Sequence, residues 1–231
     1  MNFIKSVKNL TTKERILWIT SMAIIFVTSA AFPSPDWMSV VTSLVGASAL
    51  IFVGKGDPLG QLICIAFGIL YALVSWRLRY YGEMITYLCM SAPASFCALV
   101  AWLKNPYTKR EVKISSMTLR KWIFLVIATV AATVVMYFVL KSFNTANLIV
   151  STFSIATSFM ASVLTMLRSP YYAVVYALND IVLIVLWGLA LFVNISYLPM
   201  VMCFVVFLVN DIYGFINWRK MKKKQNRVVE I

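Results

Sequence analysis

The chain has no histidine in its 231 residues. That absence removes histidine metal sites, histidine general bases and the Ser/His or Cys/His triads in one step. Charge is scarce as well, at 13% of residues, where a soluble domain carries about a quarter. Acidic side chains number 8 against 21 lysines and arginines. Only four cysteines occur, Cys64, Cys89, Cys97 and Cys203, all inside apolar segments and without CxxC spacing. They read as reduced apolar side chains, not as metal or redox centres. No lysine sits within a membrane-depth run to form a Schiff base, and no cofactor is expected. The polar N-terminus lacks a cleavage signature, so no removable signal peptide is expected. What fills the chain is apolar: 61% of residues are hydrophobic. The chain is therefore read as an all-α integral membrane protein that crosses the lipid bilayer many times. Its net charge of +13 does not indicate a nucleic-acid partner. The basic residues cluster at the ends and in one central loop, as cytoplasmic flanks of membrane helices do.

A bilayer-spanning helix needs about 20 mostly apolar residues. Eight such runs are present: 16–32, 37–53, 59–76, 83–103, 121–140, 146–167, 171–193 and 195–217. FPSPD (32–36) and GKGDPLG (54–60) supply turn chemistry between them. Pro58 and Pro170 fit the first turn of a helix, where a missing N–H costs nothing. Lys5, Lys8, Lys13 and Arg15 precede the first run. Lys104 to Lys121 holds six basic residues in the central loop, and Arg219 to Arg227 holds six more in the tail. With eight spans these segments fall on one side. That side is then the cytoplasm of a multi-pass cell-membrane protein with both termini inside. Arg77 and Arg79 fall on the other side and break the trend.

Residues 37–103 and 146–218 share a pattern: a helix, a short loop with one basic residue and a proline, then two helices each ending near a tryptophan. The landmarks are Lys55, Pro58, Trp76 and Trp102 in the first, and Arg168, Pro170, Trp187 and Trp218 in the second. The first helices lie four spans apart, so both units enter the membrane in the same direction. The expected organisation follows. Residues 1–36 form a cytoplasmic N-terminus and an extra helix, 37–103 a first three-helix repeat, 104–145 a basic loop and linker helix, 146–218 a second three-helix repeat, and 219–231 a basic tail. The linker helix offers only Thr129 and Thr133 as polar interruptions and reads as lipid-facing.

Two Asn-Asp pairs, Asn179–Asp180 and Asn210–Asp211, interrupt the last two apolar runs. At about 1.5 Å per residue, Asp180 lies roughly 14 Å and Asp211 roughly 10 Å from the basic end of its helix, near mid-membrane. An aspartate there costs about 2.5–3.5 kcal/mol on insertion scales, so it faces a cavity or a partner. One reading makes these residues polar glue between helices. The other makes them part of a substrate pocket, with aromatic faces for a flat cationic ring and amides and carboxyls for hydroxyls or charge. The candidate substrate-binding set is Gln61, Tyr71, Trp76, Glu83, Tyr87, Tyr176, Asn179, Asp180, Trp187, Asn210, Asp211 and Trp218. Periodicity does not decide which member of each Asn-Asp pair faces inward. GKGD (54–57) contains the G-x-G-D of intramembrane aspartyl proteases, but Pro58 follows in a loop and no Tyr-Asp partner occurs. A nucleophile–base pair is missing as well, so an enzyme is not expected.

LYALVSWRLRYYGEMITYLCMSAP (70–93), LRSPYYAVVYALNDIVLIVLW (167–187) and VNDIYGFINW (209–218) together resemble the PnuC vitamin transporters. The resemblance covers about residues 37–218. It implies a SWEET-like fold of two parallel three-helix bundles joined by a linker helix, assembled as a homotrimer. It also implies uniport of nicotinamide riboside into the cytoplasm, where a kinase traps it for NAD synthesis. By position, the family's asparagines and tryptophan fall on Asn179, Asn210 and Trp187, and its helix 4 glutamate on Glu83. Ser95 stands where many riboside carriers have glutamine, and Tyr172 and Tyr176 stand near their tryptophans. These departures bear on the cargo, and another nucleoside, a deoxyribonucleoside, or thiamine is the alternative. Proton coupling through Asp180 or Asp211 is a variant of the mechanism. Pro93 and Pro199 read as static kinks, or alternatively as hinges for rocking of the bundles, and a ligand-free scaffold is the rival outside transport.

Overall fold

The computed structural model of the chain describes residues 3–31, 36–77, 80–145, 147–192 and 195–229. Long apolar runs leave the backbone no solvent to bond with, so they become helices that satisfy their own N–H and C=O groups. The helices are α1 (Phe3–Lys8), α2 (Thr12–Ala30), α3 (Trp37–Gly54), α4 (Leu59–Arg77), α5 (Tyr81–Thr86), α6 (Ala92–Lys104), α7 (Leu119–Ser142), α8 (Leu148–Met166), α9 (Tyr172–Leu191) and α10 (Leu198–Val229). A π turn at Tyr87–Ser91 joins α5 to α6 in one rod. Pro93 has no N–H for the Cys89 carbonyl four residues back, and just before it the turn widens, with the Ala92 N–H passing to the Tyr87 carbonyl five residues back.

Among the described residues, seven helical stretches are long and apolar enough to cross a membrane, the α5–α6 rod counting as one. The eighth run expected from the sequence falls in α2, whose first turn carries Lys13, Glu14 and Arg15. That turn is a capping box: Thr11 Oγ1 accepts the Glu14 N–H at 3.3 Å and Glu14 Oε2 accepts the Thr11 N–H at 2.6 Å. The FPSPD turn through Pro35, Arg79, Ala146 and Val193 lie outside the described residues. Arg77 reaches Asp36 at 3.5 Å, both exposed. Such a surface pair is worth roughly 0–1 kcal/mol, enough to place the side chain and not to stabilise the fold.

The remaining helices close a ring. α3 packs on α4, α4 on α6, α6 on α8, α8 on α9, α9 on α10 and α10 back on α3. α2 leans on α3 and α10 from outside. α7 leans on α8 and buries only Leu125, Thr129 and Leu140. At one end of the ring, α1, a small hairpin (β1 Pro106–Thr108, β2 Glu111–Val112) and the tail of α10 meet. Arg110 donates to the Lys5 carbonyl, the Gln225 side chain donates to the Val112 carbonyl at 3.0 Å and accepts the Ile114 N–H at 2.8 Å, and Lys55 pairs with Glu14 at 2.7 Å.

The α3–α4 and α8–α9 turns are built alike. In the first, the N–H groups of Lys55, Gly56 and Asp57 bond the carbonyls of Ile51, Val53 and Phe52 at 2.9–3.1 Å. In the second, those of Leu167, Arg168 and Ser169 bond Val163, Thr165 and Leu164 at 2.9–3.0 Å. The left-handed residue is Gly56 (φ 74) in one and Arg168 (φ 58) in the other, a helix C-terminal motif that glycine enters freely and arginine enters at a cost. Asp57 Oδ1 then accepts the Leu59 N–H at 2.9 Å, and Ser169 Oγ the Tyr171 N–H at 3.4 Å. The indole of Trp102 at the end of α6 donates to the Thr165 carbonyl, and that of Trp218 in α10 to the Val53 carbonyl, each at 2.9 Å.

Candidate functional site

The ring encloses a cavity with about 730 Å³ of empty space, part of it open to the outside. Every helix of the ring contributes to its wall. α3 gives Gly46, Ala49, Leu50 and Val53, while α4 gives Gln61, Cys64, Phe67 and Gly68. The π turn and α6 give Tyr87, Ser91 and Ser95, and α8 gives Ser158 and Thr165. α9 gives Tyr172, Tyr176, Asn179 and Asp180, and α10 gives Phe204, Phe207 and Asp211. Gly46 is a position where a Cβ would collide with the Phe207 and Phe67 rings, so glycine lets those two rings meet at 5.6 Å on the cavity floor.

Asn179 is fixed by its carbonyl oxygen, which accepts Thr157 Oγ1 at 2.8 Å, Ser158 Oγ at 3.0 Å and Ser154 Oγ at 3.5 Å. Three hydroxyls spaced along α8 thus lock one amide of α9. Tyr176 is held by Ser162 at 3.0 Å. Asp180 and Asp211 approach each other in the wall, one from α9 and one from α10. Asp180 Oδ2 is buried without a hydrogen-bond partner, and so is Glu83 Oε2, a short way off beside the phenols of Tyr71 and Tyr87. Among the described residues no lysine or arginine pairs with any of the three. With Asp57, which the Ser6 hydroxyl and the Leu59 N–H hold, four of the chain's eight acidic residues lie buried without a counter-cation among the described residues, in a protein of net charge +13. Two negative charges side by side away from water repel each other, and a buried carboxylate without a partner is unfavourable. A proton shared between Asp180 and Asp211, or a cation beside them, relieves the repulsion.

The twelve expected site residues divide by where they fall. Gln61, Tyr87, Tyr176, Asn179, Asp180 and Asp211 line the cavity. Tyr71 and Trp187 stand just behind it, joined by an indole-to-phenol hydrogen bond at 3.2 Å, with Tyr71 stacked 4.2 Å from Tyr87. Glu83 is in the same layer. Asn210 turns away: its amide donates to Ser21 of α2 at 3.0 Å and to the Val206 carbonyl at 2.8 Å, bracing α2 against α10. Trp218 packs with Trp102 and Tyr172 at ring distances of 5.3 and 4.8 Å at the hairpin end of the cavity. The structure does not bring Trp76 to the site; it is 59% exposed on the outer face of α4, beside Met84 and Leu88.

At the end away from the hairpin, Tyr80, Trp187 and Tyr197 form a second aromatic cluster, with ring distances of 4.8, 5.5 and 6.2 Å. Phe207 is legible on one helix face with Asp211 and Trp218. Sequence reasoning missed Tyr80, Tyr197, Phe67 and Phe204. Aromatics are common in an apolar chain, and nothing in their spacing marks them. Gly46 is legible in the sequence as part of a small-residue face with Ser39 and Ser43, the kind that lets helices approach closely.

Comparison with known proteins agrees with this geometry. A family model described as nicotinamide mononucleotide transporter matches residues 36–220. A nicotinamide riboside transporter PnuC from Neisseria mucosa is 30% identical over 217 residues, covering 91% of this chain and 81% of that protein. One from Haemophilus influenzae is 23% identical over 215 residues, covering 91% of this chain and 92% of the other. The crystal structure of the vitamin B3 transporter PnuC superposes with a TM-score of 0.82 at 30% identity over 94% of each chain. These relatives are transporters and not enzymes. The chain belongs to the PnuC family of membrane transporters.

Proposed function

We propose that the protein carries nicotinamide riboside across the membrane by facilitated diffusion. The observation that carries this reading is the Asp180–Asp211 pair, unaccompanied by a basic residue, in the wall of an aromatic-lined cavity. The pyridinium ring of the riboside is flat and cationic, and it suits Tyr87, Tyr176, Phe67 and Phe207 with the carboxyls beside them. Gln61, Ser91, Ser95 and the amide nitrogen of Asn179 offer partners for ribose hydroxyls. The family description speaks of the mononucleotide and the relatives' names of the riboside. The cavity chemistry favours the riboside, because a 5′-phosphate would face carboxyls with no lysine or arginine to receive it. Thiamine is also a flat cation, but it has no ribose to use the hydroxyl wall.

The proposed organisation is two parallel three-helix repeats, 37–103 and 146–218, with 1–36, 104–145 and 219–231 as extra helix, linker and tail. It is supported by the matched turns, whose residues differ by a constant 112 in number from Ile51/Val163 to Pro58/Pro170. The exchanged tryptophan bonds, each from the third helix of one unit to the first helix of the other, support it too. The aromatic clusters at the two ends of the cavity are the proposed gates, opened in turn as the units rock in a SWEET-like manner, with Pro93 and Pro199 as hinges. The meeting of three basic segments at the hairpin end supports placing that end, with both termini, in the cytoplasm of the cell membrane. A homotrimer, and trapping of the cargo by a cytoplasmic kinase for NAD synthesis, follow from the family resemblance.

The test is uptake of labelled nicotinamide riboside into proteoliposomes, with four competitors: unlabelled riboside, its reduced and neutral dihydro form, the mononucleotide, and thiamine. Saturable uptake blocked by the riboside, and by neither the dihydro form nor the mononucleotide, is expected. Equal competition by the neutral form would remove the carboxyl pair from the mechanism, and competition by thiamine alone would change the cargo.

A further inference from the structure

Outside the cavity, the strongest unassigned feature is a groove at the hairpin end between α9 and α10, lined by Pro170, Tyr171, Phe215, Arg219, Lys222, Lys223 and Asn226. We propose that this groove is a binding site for one anionic phospholipid, with the phosphate headgroup held by Arg219, Lys222 and Lys223. The three cations lie on one face of α10 at spacings of three and four residues. None of them pairs with a carboxylate among the described residues, whereas Lys224, just beside them, reaches Glu111 at 4.0 Å. The Arg219 guanidinium is steadied 5.6 Å above the Phe215 ring and keeps its donors free. Asn226 adds an amide, and the N-terminal end of the 20-residue helix α9 adds its positive dipole at Tyr171.

Depth argues for a lipid over a soluble anion. Arg219 is the first charged residue after the apolar length of α10. Tyr171 packs edge-on against Trp122 of α7 at 5.7 Å, an aromatic pair of the kind that sits at headgroup level. From the groove, exposed apolar columns run away along both helices: Val174, Leu178 and Ile181 on α9, and Ile216, Ile212 and Val209 on α10. A headgroup in the cradle thus has apolar rails for its acyl chains. Basic pockets between membrane helices are where anionic headgroups bind.

The probe is phosphatidylglycerol, counted by native mass spectrometry on protein purified from mixed phosphatidylglycerol–phosphatidylcholine micelles. The wild type and the charge-keeping variant Arg219→Lys/Lys222→Arg/Lys223→Arg are expected to retain phosphatidylglycerol. Arg219→Gln/Lys222→Gln/Lys223→Gln is expected to lose it about tenfold, while Lys104→Gln/Lys109→Gln/Lys220→Gln, with the same charge removed elsewhere, keeps it. Equal loss in both glutamine variants would reduce the effect to bulk charge and overturn the site. Full displacement by millimolar inorganic phosphate would assign the groove to a soluble anion. Loss of lipid together with loss of the oligomer would make the face a contact between copies. Riboside uptake plays no part in the readout, so failure here and failure of the transport reading are separable.

Discussion

The two Asn-Asp pairs look interchangeable on paper and serve different ends in the fold. On α9 both residues face the cavity, with Asn179 clamped by α8 hydroxyls and Asp180 turned toward Asp211. On α10 only Asp211 does, because Asn210 lies about 100° further round and finds Ser21 of α2. The sequence made all four visible as polar breaks at membrane depth. It could not choose between neighbours, since the choice depends on α2, a helix outside the ring. The same limit explains Trp76, which ends an apolar run as Trp187 does but points outward. The expected consequences differ accordingly. Asp180→Asn and Asp211→Asn each raise the KM for the riboside cation by about 10–100-fold, from loss of one charge contact of roughly 1.5–3 kcal/mol. The double variant transports the cation and its neutral dihydro form alike. Asn210→Ala lowers thermal stability by about 1–2 kcal/mol and leaves the preference for the cation unchanged. Transport assays with the paired substrates read the first two, and melting of purified protein reads the third. Unchanged cation preference in the double variant would refute the charge argument.

Elements were legible to the extent that one period described them. Apolar runs gave the helices to within a few residues, because length and scarcity of charge decide a membrane helix almost alone. The π turn at Tyr87–Ser91 was not legible, since it departs from that period just before Pro93, two residues past its end. The helical continuation of α10 from Trp218 to Val229 was missed for a different reason. Those residues are basic and polar, and they hold helix by packing Met221 and Gln225 against the hairpin. The tryptophans at 102 and 218 stand out in the sequence as cavity or repeat markers. In the fold the Trp102 indole adds a second donor to the Thr165 carbonyl near the end of α8, beside the Arg168 N–H, and the Trp218 indole does the same for the Val53 carbonyl of α3, beside the Gly56 N–H. Trp102→Phe and Trp218→Phe keep the ring packing and remove one of the two donors to a buried carbonyl, at a cost of about 0.5–1.5 kcal/mol each. Denaturant or thermal melts are expected to show similar losses for the two. A large loss for one and none for the other would argue against equivalent units.

At the scale of the whole molecule, the hairpin end is held by one carboxylate that touches three parts of the chain. Glu14 of α2, in the polar first turn before the apolar run, accepts Lys55 of the α3–α4 turn at 2.7 Å and the Tyr213 hydroxyl of α10 at 2.8 Å, besides capping its own helix at Thr11. Burial alone would raise its pKa. The hydrogen bonds from Lys55, Thr11 and Tyr213 outweigh that and leave it below the usual carboxylate range. A carboxyl lowered in the folded state contributes stability that is fully present above its unfolded value, near about 4.3, and is lost as pH falls through the lower folded value. The melting temperature is therefore expected to hold level from about pH 8 to about 6 and to drop below about pH 4. Glu14→Gln keeps the size and a hydrogen-bonding oxygen but removes the charge. It is expected to melt a few degrees lower than wild type at about pH 7, with the gap closing near about pH 3, where the wild-type carboxyl is protonated too. The ring helices do not depend on this residue, so the riboside's competition pattern should survive the change. A gap that persists unaltered at that acid pH would mean that Glu14 acts through packing and not through its charge.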